Sequence, residues 1–490
     1  MRSWIPIVLA LTACRSGSKP AEQTATKSAD AAAVGSAGSP GSAAGATGSA
    51  AGSAGSAADP WADKAKPGPT PEERKQQIAA ALARVPGIQT KLAALRGLPM
   101  AGAVPALHQT ADEFRTFVQQ ELAKELPPDK AEKMQAALLH IGLYMKPIDL
   151  VKTLEQTMTS QAAAYYDPAA KKFFVVMAPD NDMMFDTISA HELTHALQDK
   201  HFDLVKYMPI TLDEDAGIAR RFVVEGDATF SMFAYLATDA VGVDKLPSMI
   251  KMMRTQVEQM ANMGLSDYAD MMKQQAAAFG GMDEQMKTAM ESMGELPPVI
   301  VGPMMASYMK GAVLAMTAYE NGGWKTVDAL YKTPPDSTEQ VLHPATKLYP
   351  KRERPKKVTL PKLAGTELTQ NVIGELQWSI YLQQWGAALP EAAAGWGGDR
   401  YAVMRGADGA LTGYLATTWD SPKDAQEFHD AYVATLKARF PEADVSKPAA
   451  GVARKDRGKV FVKLQGAHVF IVDGTDDAKA LDLLARATIK

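Results

Sequence analysis

Three of the chain's 8 histidines lie in one short segment, HELTHALQDKH, which covers residues 191–201. In a helix, residues four apart lie on the same face, so His191 and His195 can direct ring nitrogens at one ion. Glu192 lies on the adjoining edge, where its carboxylate can accept a proton from a water molecule bound to that ion. These residue types at this spacing predict a zinc site for hydrolysis, with two histidine ligands and Glu192 as general base.

The third ligand can be predicted in two ways. His201 follows His195 at a spacing that serves a metal site only if the helix breaks at Gln198, and glutamine is a good helix former. If the helix continues at about 100° per residue, His201 lies about 120° around the helix from His195 and cannot share its ion. We therefore expect His201 to remain outside the metal site.

The alternative third ligand is a glutamate from the next helix. The segment EDAGIARRFVVEGDATFSMFAYLA, residues 214–237, has helical periodicity and places Glu225 among apolar residues. A carboxylate buried in such surroundings needs a strong partner, which a zinc ion supplies. An ion pair with Arg221 is the alternative. Asp227 and Asp199 are predicted to orient the ligand histidines, but spacing does not choose between them.

HELTH followed by VVEGDATF resembles the gluzincin group of zinc metallopeptidases. AAYYDP, HELTHALQDKHFDL, VVEGDATF, GGW and PPDSTEQVLHP occur in that order in a set of bacterial proteins that this chain resembles over residues 95–350. The resemblance implies a zinc-dependent endopeptidase with His191, His195 and Glu225 as zinc ligands and Glu192 as base. The main alternative is a binding or scaffold lipoprotein with a non-catalytic zinc site, although a structural zinc needs no base.

A further histidine, His343, lies in TPPDSTEQVLHPATKLYP. Ser337 and Gln340 have capping-box spacing, so a short helix is predicted to begin at Ser337 and to end before the following proline. Gluzincins bring a distant histidine or tyrosine to the charge that develops on the substrate carbonyl oxygen. His343 is predicted to be catalytic in this way. Tyr349 and Tyr308 are alternatives, and His343 can equally satisfy backbone carbonyls at a helix end.

The segment AAAYYDPAAKKFFVVMA precedes the histidines and is predicted to form a β-hairpin, because two apolar β-prone runs flank Asp167 and Pro168. Zincin peptidases use a sheet edge at this place to bind extended substrate by strand addition, although a hairpin that only fills the core fits the same pattern. Helical patterns over residues 71–155 predict an N-terminal helical subdomain, and whether it is a removable prosegment is left open.

The N-terminus predicts export and a lipid anchor. Arg2 is followed by the apolar run WIPIVLAL and by LTAC, which resembles the lipobox of bacterial lipoproteins. The predictions are a signal peptide over residues 1–13, lipidation at Cys14, the single cysteine, and a flexible Gly/Ser/Ala/Pro-rich tether over residues 14–70. An ordinary secretory signal with an incidental cysteine is the alternative. The predicted location is the bacterial cell envelope, anchored to a membrane and facing the periplasm or the exterior.

A chain of 490 residues is too long for one simple core. The fold prediction is α+β, with a mainly helical, zincin-like core over residues 156–360 and a separate C-terminal α+β domain over residues 365–490, where strands alternate with helices. The net charge of -4 gives no basic excess for nucleic acid, so the predicted partner is a peptide or protein substrate. No apolar run after the N-terminus is expected to reach membrane-spanning length.

Overall fold

A computed structural model of the chain describes residues 69–100, 102–161, 163–179, 181–209, 211–263, 284–349, 351–387 and 390–490, together with Asp267, Asp270 and Gln274. The predicted signal peptide, Cys14 and almost all of the predicted tether lie outside the described residues. Arg74–Lys490 belong to one compact unit. Leu11–Glu73 form a second unit, of which the structure describes residues 69–73.

The first part of the described chain is mainly helical, as its periodicity predicts. Its helices are α1 (Pro71–Arg96), α2 (Ala111–Glu125), α3 (Pro128–His140) and α4 (Leu150–Gln161). A capping box begins α2, because the Thr110 hydroxyl accepts from the Glu113 N–H and the Glu113 carboxylate accepts from the Thr110 N–H. Helices α2 and α4 bury Phe114 and Leu154 in one core cluster with Tyr165.

A small three-stranded sheet connects these helices to the histidine segment. Its strands are β1 (Ala106–His108), β2 (Ala164–Asp167) and β3 (Lys172–Val175), in the order β1-β3-β2. The antiparallel pairing of β2 with β3 confirms the predicted hairpin, and Lys171 takes a positive φ of 56° in its turn. β1 pairs with β3 in the parallel direction. β2 therefore forms one edge of this sheet.

The central part of the chain consists of eight further described helices. They are α5 (Asp182–Phe202), α6 (Leu204–Tyr207), α7 (Glu214–Val241), α8 (Leu246–Ala261), α9 (Glu284–Glu295), α10 (Pro298–Glu320), α11 (Trp324–Lys332) and α12 (Thr338–Leu342). α12 is the short helix that the capping-box spacing predicts, since the Ser337 hydroxyl accepts from the Gln340 N–H. α5 runs through Gln198 without a break and ends at Asp203, whose φ is 52°.

α7 and α10 cross with their backbones in direct contact. A Cβ atom added at Gly226 would lie 2.1 Å from the carbonyl carbon of Gly311, and one added at Gly311 would lie 2.5 Å from the Phe222 oxygen. No side chain fits between two backbones at that separation, so both positions need glycine. Because Gly226 follows Glu225 directly, this crossing also fixes the position of the Glu225 side chain.

α10 is long and apolar enough to cross a membrane by length and composition alone. The expectation that no later run reaches that length is therefore wrong. Most of this helix is buried inside the compact unit, where Leu314 and Met316 are almost fully enclosed. A core helix of this kind passes the same test of length and composition, so the feature is weak evidence for a membrane span.

The C-terminal part is built on a six-stranded sheet. After β4 (Val358–Thr359), its strands and helices are β5 (Thr366–Asn371), α13 (Gly374–Gln384), β6 (Trp396–Arg405), β7 (Leu411–Trp419), α14 (Pro422–Arg439), β8 (Val452–Ala453), β9 (Lys459–Gln465), β10 (His468–Thr475), α15 (Lys479–Leu484) and β11 (Thr488–Ile489). The strand order is β5-β6-β7-β10-β9-β8, and every neighbouring pair is antiparallel.

The core beneath this sheet is shared with the preceding helices. Trp378 on α13 and Phe428 on α14 pack in the same cluster as Leu138 and Ile141 at the end of α3. The fold is α+β, with helices and an antiparallel sheet in one compact unit. The boundary of a separate domain at residue 365 stays a prediction.

Candidate metal centre

α5 is enclosed on most of its surface, which places the histidine segment in the interior. Thirteen of its residues between Phe185 and Asp199 are buried. His191 and His195 lie one turn apart, with ring centroids separated by 4.9 Å and ring planes at 87°. The i, i+4 spacing therefore brings both imidazoles to one face, and the apolar residues around them hold both rings in fixed orientations.

α7 places Glu225 against both rings. The Glu225 Oε2 atom lies 3.3 Å from Nε2 of His191 and 3.6 Å from Nε2 of His195. One possible ligand atom from each of the three residues lies within 4.8 Å of the others. The structure thus assembles the two histidines and the glutamate that the sequence predicts as a ligand set.

Burial and mutual contact shift the pKa values of His191, His195 and Glu225. Burial lowers the pKa of His191. Burial acts the same way on His195, but the adjacent Glu225 carboxylate outweighs it and raises the His195 pKa to about 9. Burial would raise the pKa of Glu225, yet His195 and His191 hold it well below its usual value. Glu225 and His195 therefore each favour the charged form of the other.

A metal ion fits the same arrangement. Nε2 of His195 is buried and has no hydrogen-bond partner, although it faces the Glu225 carboxylate. Two imidazole nitrogens and one carboxylate oxygen form a donor set of the kind that binds catalytic zinc, which keeps a further position for water or substrate. The side chains retain small exposed fractions, 5% for His191, 7% for His195 and 13% for Glu225.

Glu192 is fully buried beside the three ligand candidates. One of its carboxylate oxygens, Oε2, accepts a hydrogen bond of 3.0 Å from the main-chain N–H of Tyr166 on β2. The other oxygen, Oε1, is buried with no hydrogen-bond partner. Burial raises the pKa of Glu192 to about 8, with the neighbouring histidine acting in the opposite direction. β2 therefore fixes only one of the two carboxylate oxygens.

Tyr308 on α10 is the aromatic residue next to the ligand set. Its ring lies 5.8 Å from that of His191, and burial together with the charges of Glu225 and Glu192 raises the pKa of its phenol well above the usual value. The phenol hydroxyl is therefore a hydrogen-bond donor at neutral pH. The candidates for stabilising substrate charge are Tyr308, Tyr349 and His343. Among them, Tyr308 is the one whose pKa is affected by Glu225 and Glu192.

His343 is placed against a different carboxylate. Its Nε2 lies 2.6 Å from Oε1 of Glu375 on α13, and that hydrogen bond raises the pKa of His343. Its other neighbouring charges are Glu339 and Lys347. Tyr349, the third candidate, has Arg352 as its charged neighbour. A catalytic role for His343 stays a prediction that these contacts do not support.

The two aspartates have different partners. Asp199 accepts from the Tyr166 hydroxyl at 2.8 Å and from Lys171 Nζ at 2.6 Å, so it anchors the hairpin. Asp227 reaches the site through Gln198, whose amide contacts both Asp227 and the ring of His195. Sequence reasoning missed Gln198. A polar amide three residues after a ligand histidine, within an apolar helix, is the signal that identifies it.

His201 lies away from the three ligand candidates. Its Nε2 contacts the Pro99 oxygen at 2.9 Å on the exposed side of α5. This position follows from the unbroken helix, which turns His201 away from the face that His191 and His195 share.

A comparison with known protein families finds a match in the C-terminal sheet region. A family model described as "Domain of unknown function (DUF8575)" matches residues 361–485, which cover β5 to α15. No curated protein matches the chain, and no solved structure matches it. The matched region lies after the histidine pair and Glu225, so the similarity of those segments to gluzincins stays a prediction.

Proposed function

We propose that the protein is a zinc-dependent endopeptidase. The observation that supports this most strongly is the pairing of a three-residue ligand set with a buried carboxylate that has one oxygen without a partner. A site that only stored or scaffolded a metal has no use for the second feature, because leaving a buried carboxyl oxygen without a hydrogen bond costs free energy. A hydrolytic site does, because a base must reach a water molecule.

In this proposal His191, His195 and Glu225 hold the zinc ion. Bound zinc lowers the pKa of a water ligand to about 7 and polarises a carbonyl group. Glu192 accepts the proton of the attacking water on Oε1, while the Tyr166 N–H keeps its other oxygen in place. The Tyr308 hydroxyl donates to the peptide carbonyl oxygen as negative charge develops there. Glu192 then returns the proton to the leaving amine.

The edge strand β2 lies next to the proposed base. On β3, the Phe173 N–H donates to the Pro105 oxygen, which lies on the β1 side. Phe173 is paired with Tyr166, so the main-chain groups of Tyr166 point away from β3, and so do those of Ala164, two residues earlier. The Tyr166 N–H accordingly reaches Glu192. Because Ala164 and Tyr166 are buried and the Tyr166 N–H already bonds Glu192, strand addition of an extended substrate at this edge stays a prediction from the sequence.

Zinc content provides the direct test. Wild-type protein is expected to hold about one zinc ion per chain, and His191→Ala or Glu225→Ala to lose it, since each removes one of three protein ligands. His201→Ala is the matched control, because it removes a histidine from the same helix but from another face. Metal analysis after dialysis measures the ratio. Retention of zinc by Glu225→Ala combined with its loss from His201→Ala would contradict the ligand assignment.

The anchor is a proposal from sequence alone, because Cys14 lies outside the described residues. We expect Cys14→Ser to leave the membrane fraction of cells, since this one change removes the attachment site of the lipid. Fractionation followed by detection of the protein measures this. A variant that stays with membranes as firmly as the wild type would show that the lipobox reading is wrong.

A further inference from the structure

The side chain of Gln198 has only one amide orientation that satisfies its neighbours. Its Nε2 atom lies 3.0 Å from the main-chain oxygen of Val224 and 3.1 Å from Oδ2 of Asp227. Both of these atoms accept hydrogen bonds and cannot donate them, so the nitrogen must face them and each amide hydrogen has an acceptor. The oxygen Oε1 is therefore the atom that lies 2.9 Å from Nδ1 of His195.

This orientation decides which nitrogen of His195 carries hydrogen. An amide oxygen only accepts, so Nδ1 of His195 must donate to it. In the neutral ring Nε2 then carries the lone pair, and Nε2 is the nitrogen that faces Glu225 and has no hydrogen-bond partner. The Gln198 amide thus keeps the lone pair of His195 on Nε2, the nitrogen that would bind a metal ion.

A buried charge network keeps the amide in this orientation. Oδ2 of Asp227 accepts from Gln198, from Nη2 of Arg96 at 3.0 Å and from the Tyr331 hydroxyl at 2.9 Å. The side chains of Arg96 and Asp227 are both fully buried. The guanidinium also stacks on the Trp324 ring, 4.2 Å from its centroid. A charge enclosed in this way cannot turn towards solvent, so Gln198 cannot flip without leaving Asp227 and Val224 short of a donor.

We infer that Gln198 is the positioning residue for the second histidine of the proposed zinc site, and that Asp227 and Arg96 act on His195 through it. The expected effect of Gln198 on metal binding rests on the proposed zinc site. The expected effect of Gln198 on the His195 tautomer follows from the hydrogen bonds alone. The neutral amide separates the Asp227 charge from the ring, so His195 receives an oriented acceptor without a second carboxylate beside Glu225.

The experiment compares Gln198→Met with Gln89→Met. Gln89 is a buried glutamine of α1 that also makes two hydrogen bonds, to Gly102 and Val104, away from the site. Zinc affinity is measured by competition with a chelator, and the His195 ring nitrogens are assigned by 15N NMR in zinc-free protein at a pH above the His195 pKa, where the ring is neutral. We expect Gln198→Met to bind zinc about 10–100-fold more weakly and Gln89→Met to bind it like the wild type.

The tautomer separates an oriented acceptor from mere packing. Gln198→Met removes the oxygen that accepts from Nδ1 of His195, so we expect the hydrogen of the neutral ring to move to Nε2, beside Glu225. A purely structural role for Gln198 predicts an unchanged tautomer.

Two results would overturn the inference. One is wild-type zinc affinity in Gln198→Met. The other is a wild-type NMR spectrum in which Nδ1 of His195 carries no hydrogen. If the wild type binds no zinc at all, the proposed function fails, and the NMR measurement still decides the role of Gln198. The spectrum of wild-type protein gives that answer even if Gln198→Met does not fold.

Discussion

Two fully enclosed carboxylates, one in each half of the molecule, differ in how they are satisfied. Asp399, in the sheet region, accepts from the main-chain N–H groups of Ile373 and Gly374 and from the indole N–H groups of Trp378 and Trp396. Glu192 accepts one hydrogen bond, and one of its oxygens has no partner. Burial raises the pKa of both side chains, so the desolvation cost is common to them.

Under the proposed function, the difference is that between a structural carboxylate and a general base. Four donors around Asp399 stabilise β6 against α13, and they leave no space for another molecule. Other carboxylate oxygens among the described residues also lack a hydrogen bond, for example Oε2 of Glu375, whose Oε1 lies 2.6 Å from His343. What sets the Glu192 oxygen apart is its position beside two histidines and a glutamate, which is why we propose a chemical role for it.

The largest expected effect comes from neutralising these two carboxylates in turn. Glu192→Gln keeps an oxygen for the Tyr166 N–H and removes the base, so we expect a loss of about 10²–10⁴ in peptidase rate with fold and zinc content unchanged. Asp399→Asn turns an amide group towards N–H donors, so we expect a loss of about 1–3 kcal/mol in unfolding free energy with zinc content unchanged.

Cleavage of an unstructured protein or a mixed peptide library, with a chelator control, measures the first variant. Denaturant unfolding measures the second. Equal cleavage by wild type and Glu192→Gln, both with zinc bound, would replace the peptidase by a lipid-anchored binding or scaffold protein. Stability loss in Glu192→Gln as large as in Asp399→Asn would remove the contrast between the two carboxylates.

The second test sets Tyr308 against His343. Tyr308→Phe removes the hydroxyl and keeps the ring beside His191, so we expect kcat to fall about 10²–10³-fold while zinc content is retained. His343→Ala leaves Glu375 buried without its hydrogen-bond partner, so we expect lower stability with kcat close to the wild type. Steady-state kinetics on zinc-loaded protein distinguish them. A kcat loss in His343→Ala alone would return the catalytic role to His343.

The smallest expected effect concerns the helix crossing beside Glu225. Gly226→Ala places a methyl group where the Gly311 backbone lies, so we expect a loss of about 1–3 kcal/mol in unfolding free energy and weaker zinc binding. Gly87→Ala is the matched control, because nothing lies within 4 Å of a Cβ at that position in α1. It should be neutral or stabilise by about 0.5–1 kcal/mol. Equal stability of both variants would show that the crossing tolerates a side chain.

The sequence predicts the parts of the site that depend on one helix or one pattern. Helical spacing correctly brings His191 and His195 together, and the helix-forming preference of Gln198 correctly keeps α5 unbroken. Periodicity also identifies α7 as the element that carries Glu225. The hairpin of β2 and β3 follows from its alternation and turn residues.

The remaining features depend on contacts between distant segments. The sequence contains no measure of the distance between α10 and α5, so the prediction favours His343 and keeps Tyr308 and Tyr349 only as alternatives. The parallel strand β1 is too short to be predicted from its own residues, and its pairing with β3 is set by the surrounding helices. The role of Gln198 appears only when the partners of its amide nitrogen are known.

Arg96 also has a consequence for the order in which the protein assembles. Its two carboxylate partners, Asp227 and Asp328, follow it by 131 and 232 residues. The C-terminal end of α1 is therefore synthesised long before the groups that neutralise its charge, and a guanidinium cannot enter the core until they are present. Contacts over such separations form late, because the chain must close a long loop first. The first helix of the described residues thus reaches its final packing only when α7 and α11 have folded around it.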